Sequence, residues 1–262
     1  MLEVNKIYCM DCLEGMKQIS DETIDLILTD PPYNTGMSIS SSTGKTRRFN
    51  NKHNNYLGNF FDDDYADEDY LNLIQKVCIN LFRVLKNNKA GYIFMNWKKL
   101  GLWIDELTNV GFKVKNVIIW DKVVHGLNYQ NYAYTHELII FFVKGNFFPN
   151  NKQEKYYKDV WNIQREINNF NDKEHHETVK NIKVVRLPII HASNEGDLIL
   201  DPFIGSGTTA VACKQLGRNF IGFEKEEKYV DIANKRLAQD CLMNYFNKEE
   251  KNMSNSIPIL YP

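Results

Sequence analysis

The chain has 262 residues, 43% of them apolar and 25% charged, which suits one folded α/β domain with a small appendage and excludes a disordered or fibrous chain. Its 32 basic residues face 33 acidic ones for a net charge of -1, so nucleic acid would have to be held in a local groove, not over the whole surface. MLEVNKIY carries no charged-then-apolar leader, Leu138–Val143 is far short of the roughly 18 apolar residues of a membrane span, and five cysteines without framework spacing fit a reducing cytoplasm; no membrane association is expected.

Lys6–Met10 reads as a strand, Cys12–Ile19 as a helix and Thr23–Leu28 as a buried strand that runs into Thr29-Asp30-Pro31-Pro32-Tyr33. Residues 34–59 are rich in Ser, Asn and Gly and contain Lys45, Arg47, Arg48, Lys52 and His53, and a loop of that length is either functional or disordered. Asp62–Asp64 and Asp67–Asp69 precede a helical pattern over Tyr70–Leu85, where acidic side chains favour a helix N-terminus. Strand Gly91–Trp97, helix Leu100–Val110 and strands Phe112–Trp120 and Glu137–Val143 follow. Lys144–Lys183 breaks the pattern, with eight basic residues against six acidic ones and scattered aromatics. Periodicity returns in helix Val184–Ala192, strand Asp197–Leu200, helix Thr208–Gln215, strand Asn219–Phe223 and helix Tyr229–Leu242, before a loosely held tail. Alternating strands and helices imply a mostly parallel sheet covered on both faces.

Two strand-end loops carry chemistry. In Asp201-Pro202-Phe203-Ile204-Gly205-Ser206-Gly207-Thr208-Thr209-Ala210, glycines at a strand-to-helix turn let a ligand approach the backbone beside free helix amides. Gly205, Gly207 and Ala210 satisfy a dinucleotide fingerprint, and Glu224 ends the next strand where a ribose-binding acid belongs. Asp201 would repel a pyrophosphate and attract a cation, which favours S-adenosylmethionine over NAD; a glycine-rich packing turn is the plain alternative. In Asp30-Pro31-Pro32-Tyr33, the carboxylate and the Pro31 carbonyl can each accept a hydrogen from an exocyclic amine, and Tyr33 offers a ring on which a base can stack. Taken alone, the same four residues also fit an ordinary type I turn.

Together these motifs resemble the amino-group DNA methyltransferases, in which Asp-Pro-Pro-Tyr is the catalytic motif and Phe-x-Gly-x-Gly binds S-adenosylmethionine. The order here, catalytic loop first and cofactor loop second, is that of the permuted β group. The resemblance spans about Lys6 to Leu237. It implies a Rossmann-like methyltransferase fold with a seven-stranded mixed sheet, its C-terminal strands lying beside its N-terminal ones. It also implies that Asp201, Phe203, Gly205, Ser206, Gly207, Thr208 and Thr209 line the cofactor, that Glu224 binds its ribose, and that Asp11 lies near its adenine. The family's His-Pro-Thr-x-Lys-Pro corresponds to His176-Glu177-Thr178-Val179-Lys180-Asn181, without the prolines, so Thr178 and Lys180 are assigned to the methionine carboxylate.

On this reading, residues 1–143 form the catalytic part, 144–175 a target-recognition segment, 176–242 the cofactor-binding part of the same domain, and 243–262 a tail. The target base would be flipped into the Asp30–Tyr33 pocket. Lys45, Arg47, Arg48 and Lys52 would meet phosphates, and Tyr156 and Trp161 would contact a groove. Asp as first motif residue favours adenine N6 over cytosine N4, the alternative within the family. A catalytically silent DNA-binding protein with this fold is the rival from another class. A zinc deaminase is excluded because His175–Glu177 and Cys9–Cys12 stand in the wrong order, and a glutamine methyltransferase because its Asn-Pro-Pro-Tyr and unpermuted order are lacking. No metal is required, while a homodimer and a companion restriction endonuclease are compatible partners.

Overall fold

The computed structural model describes residues 2–34, 67–123, 132, 135–150, 157–164 and 180–239. In chain order these form β1 (Lys6–Cys9), α1 (Cys12–Lys17), β2 (Ile24–Thr29), α2 (Asp67–Val84), β3 (Leu85–Met95) and α3 (Leu100–Asn109), the last preceded by a 3-10 turn. Then come β4 (Lys113–Asp121), β5 (His136–Lys144), β6 (Val160–Asn162), α4 (Ile182–Ala192), β7 (Leu198–Asp201), α5 (Thr208–Gln215) and β8 (Asn219–Glu224). A last helix, α6, occupies residues 227–239.

The strands form one sheet in the order β1-β8-β7-β2-β3-β5-β4-β6. Every pairing is parallel except those of β5, which runs against both β3 and β4. The two C-terminal strands fill the space between β1 and β2, as the permuted motif order implies. The eighth strand is β6, at the edge of β4, inside the stretch that the sequence leaves without pattern. Three residues are too few for a periodic signal; β6 is held by its ladder with Ile119–Asp121 and by Trp120, whose Nε1–H donates to the Ile163 carbonyl at 2.7 Å.

Each face of the sheet buries its own core. On one face, Cys12 and Met16 of α1, Ile74, Val77 and Leu81 of α2, and Trp103 and Leu107 of α3 cover Ile93, Met95, Ile140 and Phe142. On the other, Val185 and Ile189 of α4, Cys213 of α5, and Val230 and Ala233 of α6 pack against Leu26, Leu28, Tyr92 and Phe94. The alternation of Tyr92 and Phe94 with Ile93 and Met95 is the two-residue period of a strand buried on both sides. Each such side chain contributes about 1.5–3 kcal/mol by leaving water.

This layering positions the loops. β2 and β7 are hydrogen-bonded neighbours, yet β2 leads to α2 on one face and β7 to α5 on the other. Where neighbouring strands send their chains to opposite faces, a crevice opens at their C-terminal ends. The Asp30 loop and the Asp201 loop are its two walls. Among the described residues, no helix is long and apolar enough to cross a membrane.

Candidate active site

The Asp201 loop is shaped by its glycines. Gly207 lies in the left-handed region (φ +81°), and a Cβ there would come within 2.7 Å of the Ala233 Cβ, so this glycine is what lets α6 pack against the turn. Gly205 is also left-handed (φ +50°), but a Cβ there would meet nothing within 4 Å, so the space beside its backbone is open. Arg236 of α6 staples the loop, donating from Nη1 to the Ser206 carbonyl at 2.6 Å, the Ser206 hydroxyl at 2.9 Å and the Thr208 hydroxyl at 3.2 Å. Ser206, Thr208 and Thr209 are buried by this packing, while Phe203 is partly buried.

Asp201 is buried at the end of β7, and Oδ1 accepts from the Thr29 hydroxyl at 2.8 Å and the Phe203 amide at 3.1 Å. Burial pushes its carboxyl up to about 7, despite these donors and Thr209. Glu224 at the end of β8 accepts from the amides of Gly205 (3.1 Å) and Glu226 (2.9 Å), and burial raises it against that backbone support. Asp11 caps α1, its Oδ1 accepting from the Leu13 amide at 2.8 Å. It does so beside the C-terminal ends of β1 and β8, whose neighbouring residues Cys9 and Glu224 are in register.

The facing wall holds a closed polar cluster. The Tyr33 hydroxyl donates to Asp30 Oδ1 at 2.5 Å, and Lys180 Nζ lies 2.9 Å from Asp30 Oδ2 and donates to the Tyr33 hydroxyl at 3.1 Å. Lys180 also reaches Glu137 Oε2 at 2.7 Å, and the other oxygen of Glu137 takes Lys122 Nζ at 2.6 Å. Burial raises the Asp30 carboxyl, aided by Glu137 and opposed by Lys180 and Tyr33. Against its own burial, Lys180 and then Lys122 hold Glu137 down at about 2. Lys180 is raised because Asp30 and Glu137 outweigh its desolvation.

Behind the loop, the Tyr70 hydroxyl donates to the Pro32 carbonyl at 2.7 Å and accepts from Trp103 Nε1 at 3.3 Å. Asn34, left-handed at φ +46° and buried, turns the chain immediately after Tyr33.

The structure therefore brings Asp30, Pro31, Pro32, Tyr33, Asp201, Phe203, Gly205, Ser206, Gly207, Thr208, Thr209, Glu224 and Asp11 to one edge of the sheet. Lys180 belongs to the same edge but sits on Asp30 and Glu137, whereas the family resemblance directs it to the methionine carboxylate. Trp161, expected at a DNA groove, is half-buried in β6 against the core, its Nε1–H donating to the Lys158 carbonyl at 2.8 Å, because an edge strand must cover its apolar side. Thr178, Lys45, Arg47, Arg48, Lys52 and Tyr156 lie outside the described residues. Glu137, Lys122, Tyr70, Trp103 and Arg236 were not legible as site residues. The first two look like ordinary strand-end charges, Tyr70 and Trp103 fall in helical stripes that read as core, and Arg236 stands on a solvated helix pattern.

The family model for DNA methylases of the N6/N4 type matches residues 24–235. The chain belongs to that DNA methylase family. It is 32% identical to the type II methyltransferase M.HinfI of Haemophilus influenzae, covering 90% of this chain and 69% of that one. It is 29% identical to the type II methyltransferase M.HpaI of Haemophilus parainfluenzae, over 95% of this chain and 78% of that protein. The crystal structure of an M1.HpyAVI–SAM complex superposes with a TM-score of 0.65 at 27% identity, covering 88% of this chain and 98% of that one. The family methylates DNA with S-adenosylmethionine as methyl donor. The residues of this methylase fit that group: the bare backbone at Gly205 leaves room for a ligand, and the buried Asp201 carboxylate gains from a cation beside it.

Proposed function

We propose that this methylase transfers a methyl group from S-adenosylmethionine to the N6 amine of an adenine flipped out of DNA. The observation that supports it best is the direct coupling of the two walls: Thr29, one residue before the Asp30 motif, donates to Asp201 at 2.8 Å. The strand that carries the amine acceptor is thus tied by a hydrogen bond to the cofactor loop, and the two loops share one crevice.

Bound S-adenosylmethionine supplies an electrophilic methyl carbon on a sulfonium. Asp30 accepts one N–H of the target amine and the Pro31 carbonyl accepts the other, since the Pro32 carbonyl is engaged by Tyr70. Two acceptors draw the amine lone pair out of conjugation with the ring and toward the methyl carbon. As the new N–C bond forms at the expense of the methyl's bond to sulfur, which is left as a neutral thioether, the amine becomes cationic, and the negative charge of Asp30 stabilises it and guides the departing proton to solvent. Tyr33 stacks on the flipped base, which offsets part of the few kcal/mol that unstacking costs. Gly205, Ser206, Gly207, Thr208, Thr209 and Phe203 would line the cofactor, Asp201 would face its ammonium, Glu224 would accept from the ribose hydroxyls, and Asp11 would lie near the adenine. Adenine is preferred to cytosine on the Asp at the first motif position.

Residues 1–143, 144–175 and 176–242 are read as catalytic, target-recognition and cofactor parts, with Lys45, Arg47, Arg48 and Lys52 at phosphates. The relatives named type II methyltransferases support a further reading, in which the methylase protects cytoplasmic DNA against a companion restriction endonuclease. A homodimer is compatible with it.

The test is transfer of tritium from S-[methyl-3H]adenosylmethionine to unmethylated DNA, followed by nucleoside analysis. Labelled N6-methyladenine is expected. Labelled N4-methylcytosine would overturn the base assignment, and cofactor binding with no label in DNA would favour a silent DNA-binding protein.

A further inference from the structure

The Tyr33 hydroxyl occupies an unusual position: it donates to Asp30 and accepts from Lys180 at the same time. One oxygen thereby stands in for two groups, a donor facing a carboxylate and an acceptor facing an ammonium that is itself 2.9 Å from that carboxylate. Adenine carries the same pair on one carbon, C6: an amine N–H and the unprotonated ring nitrogen N1 of its Watson–Crick edge. A lysine ammonium has three donors and no acceptor, so its partner on a base must be a ring nitrogen or a carbonyl.

The ammonium is fixed from behind. Near the start of β5, Glu137 is in register with Trp120 and His136 with Asp121, which brings Lys122 and Glu137 together. Glu137 then divides its two oxygens between Lys122 (2.6 Å) and Lys180 (2.7 Å), so the partly buried array of two lysines and two carboxylates is neutral. Glu137 holds Lys180 Nζ at 2.7 Å, nearer than its 2.9 Å approach to Asp30. The rings of Phe94 and Tyr33, 5.1 and 5.5 Å from Nζ, close the pocket around the ammonium.

We propose that Lys180 is a specificity-determining residue that donates to the ring nitrogen next to the target amine, with Glu137 as its positioning residue. Resting on the reading of Asp30 as amine acceptor, this makes the pocket select an amidine edge, amine plus neighbouring ring nitrogen, rather than an amine alone. When the base enters, its amine N–H replaces the Tyr33 hydroxyl at Asp30, its ring nitrogen replaces it at Lys180, and Tyr33 is released to stack.

The experiment uses duplexes containing the methylated site, once mapped, with adenine, 1-deazaadenine or 7-deazaadenine as target. All three keep the amine, and each analogue lacks one of the two ring nitrogens near it. Single-turnover methyl transfer by wild type is expected to fall about 10- to 100-fold with 1-deazaadenine and little with 7-deazaadenine, the loss of one hydrogen bond to a charged donor; a loss confined to 7-deazaadenine would overturn the proposal. Lys180→Met is expected to fall similarly on adenine and to show no further loss on 1-deazaadenine, with S-adenosylmethionine affinity unchanged. Glu137→Gln should weaken the discrimination several-fold; full discrimination in that variant would remove Glu137 from its role. Equal wild-type rates on all three bases, or Lys180→Met discriminating as wild type does, would overturn the proposal. So would a Lys180→Met protein that mainly loses cofactor affinity, which would return this lysine to the methionine carboxylate. Asp30→Asn, run in parallel, separates the two readings: normal turnover there would remove Asp30 from catalysis, whereas analogue discrimination by wild type reports on Lys180.

Discussion

Asp201 is a carboxylate placed where water cannot solvate it. Its folded-state value of about 7 lies above the ordinary 3.8, so its contribution to stability is whole below the ordinary value and is lost as pH rises through about 7. A cation beside it favours the ionised form, so binding S-adenosylmethionine should release a proton. Affinity is therefore expected to weaken as pH falls below about 7, and Asp201→Asn should flatten that dependence; calorimetry in buffers of different ionisation heat measures both. Asp30→Asn removes the negative acceptor and is expected to slow transfer by about 100-fold or more while cofactor affinity holds. The two glycines should behave oppositely. Gly205→Ala adds a methyl in open space on the loop proposed to line the cofactor and should weaken cofactor binding in a folded protein, at a backbone cost of about 1–2 kcal/mol. Gly207→Val drives a side chain into Ala233 and should lower the melting temperature whether or not cofactor is present.

At the scale of elements, the Asp30 loop takes its shape from helices on one face of the sheet. Tyr70 of α2 joins Trp103 of α3 to the Pro32 carbonyl, so Tyr70→Phe deprives both of a partner. That substitution is expected to cost about 1–3 kcal/mol in denaturant unfolding and to reduce the rate of the chemical step more than DNA affinity. The two motif loops were legible because strand-end glycines, prolines and acids have few other uses. Most elements were legible too: helix Leu100–Val110 and strand Glu137–Val143 match α3 and β5 within a residue at each end. The start of β3 was not. Lys86–Lys89 is polar and reads as a loop, yet it bulges within the strand, between the pairings Ile24–Leu85 and Leu26–Ala90, while Lys86 and Lys89 reach back to Asp25. Such pairing depends on a partner that is distant in sequence, and local pattern does not encode it.

At the scale of the whole molecule, a net charge of -1 leaves DNA affinity to local clusters. Charge reversal at Arg47 and Arg48 is expected to lower affinity and to flatten its dependence on salt, because fewer counterions are then released; binding titrations across ionic strength measure the slope. The interleaving of β1, β8, β7 and β2 has a consequence for how the protein is made. A chain emerging from the ribosome carries the Asp30 motif before β7 and β8, but among the described residues β1 pairs only with β8, and the open side of β2 pairs only with β7. Until the last strand has been synthesised, two strand edges wait without partners, and such edges template aggregation. Nascent protein therefore holds the proposed acceptor for the amine before it holds the wall proposed to carry the methyl donor, and it becomes competent in a single late event when β7 and β8 slot between strands made earlier.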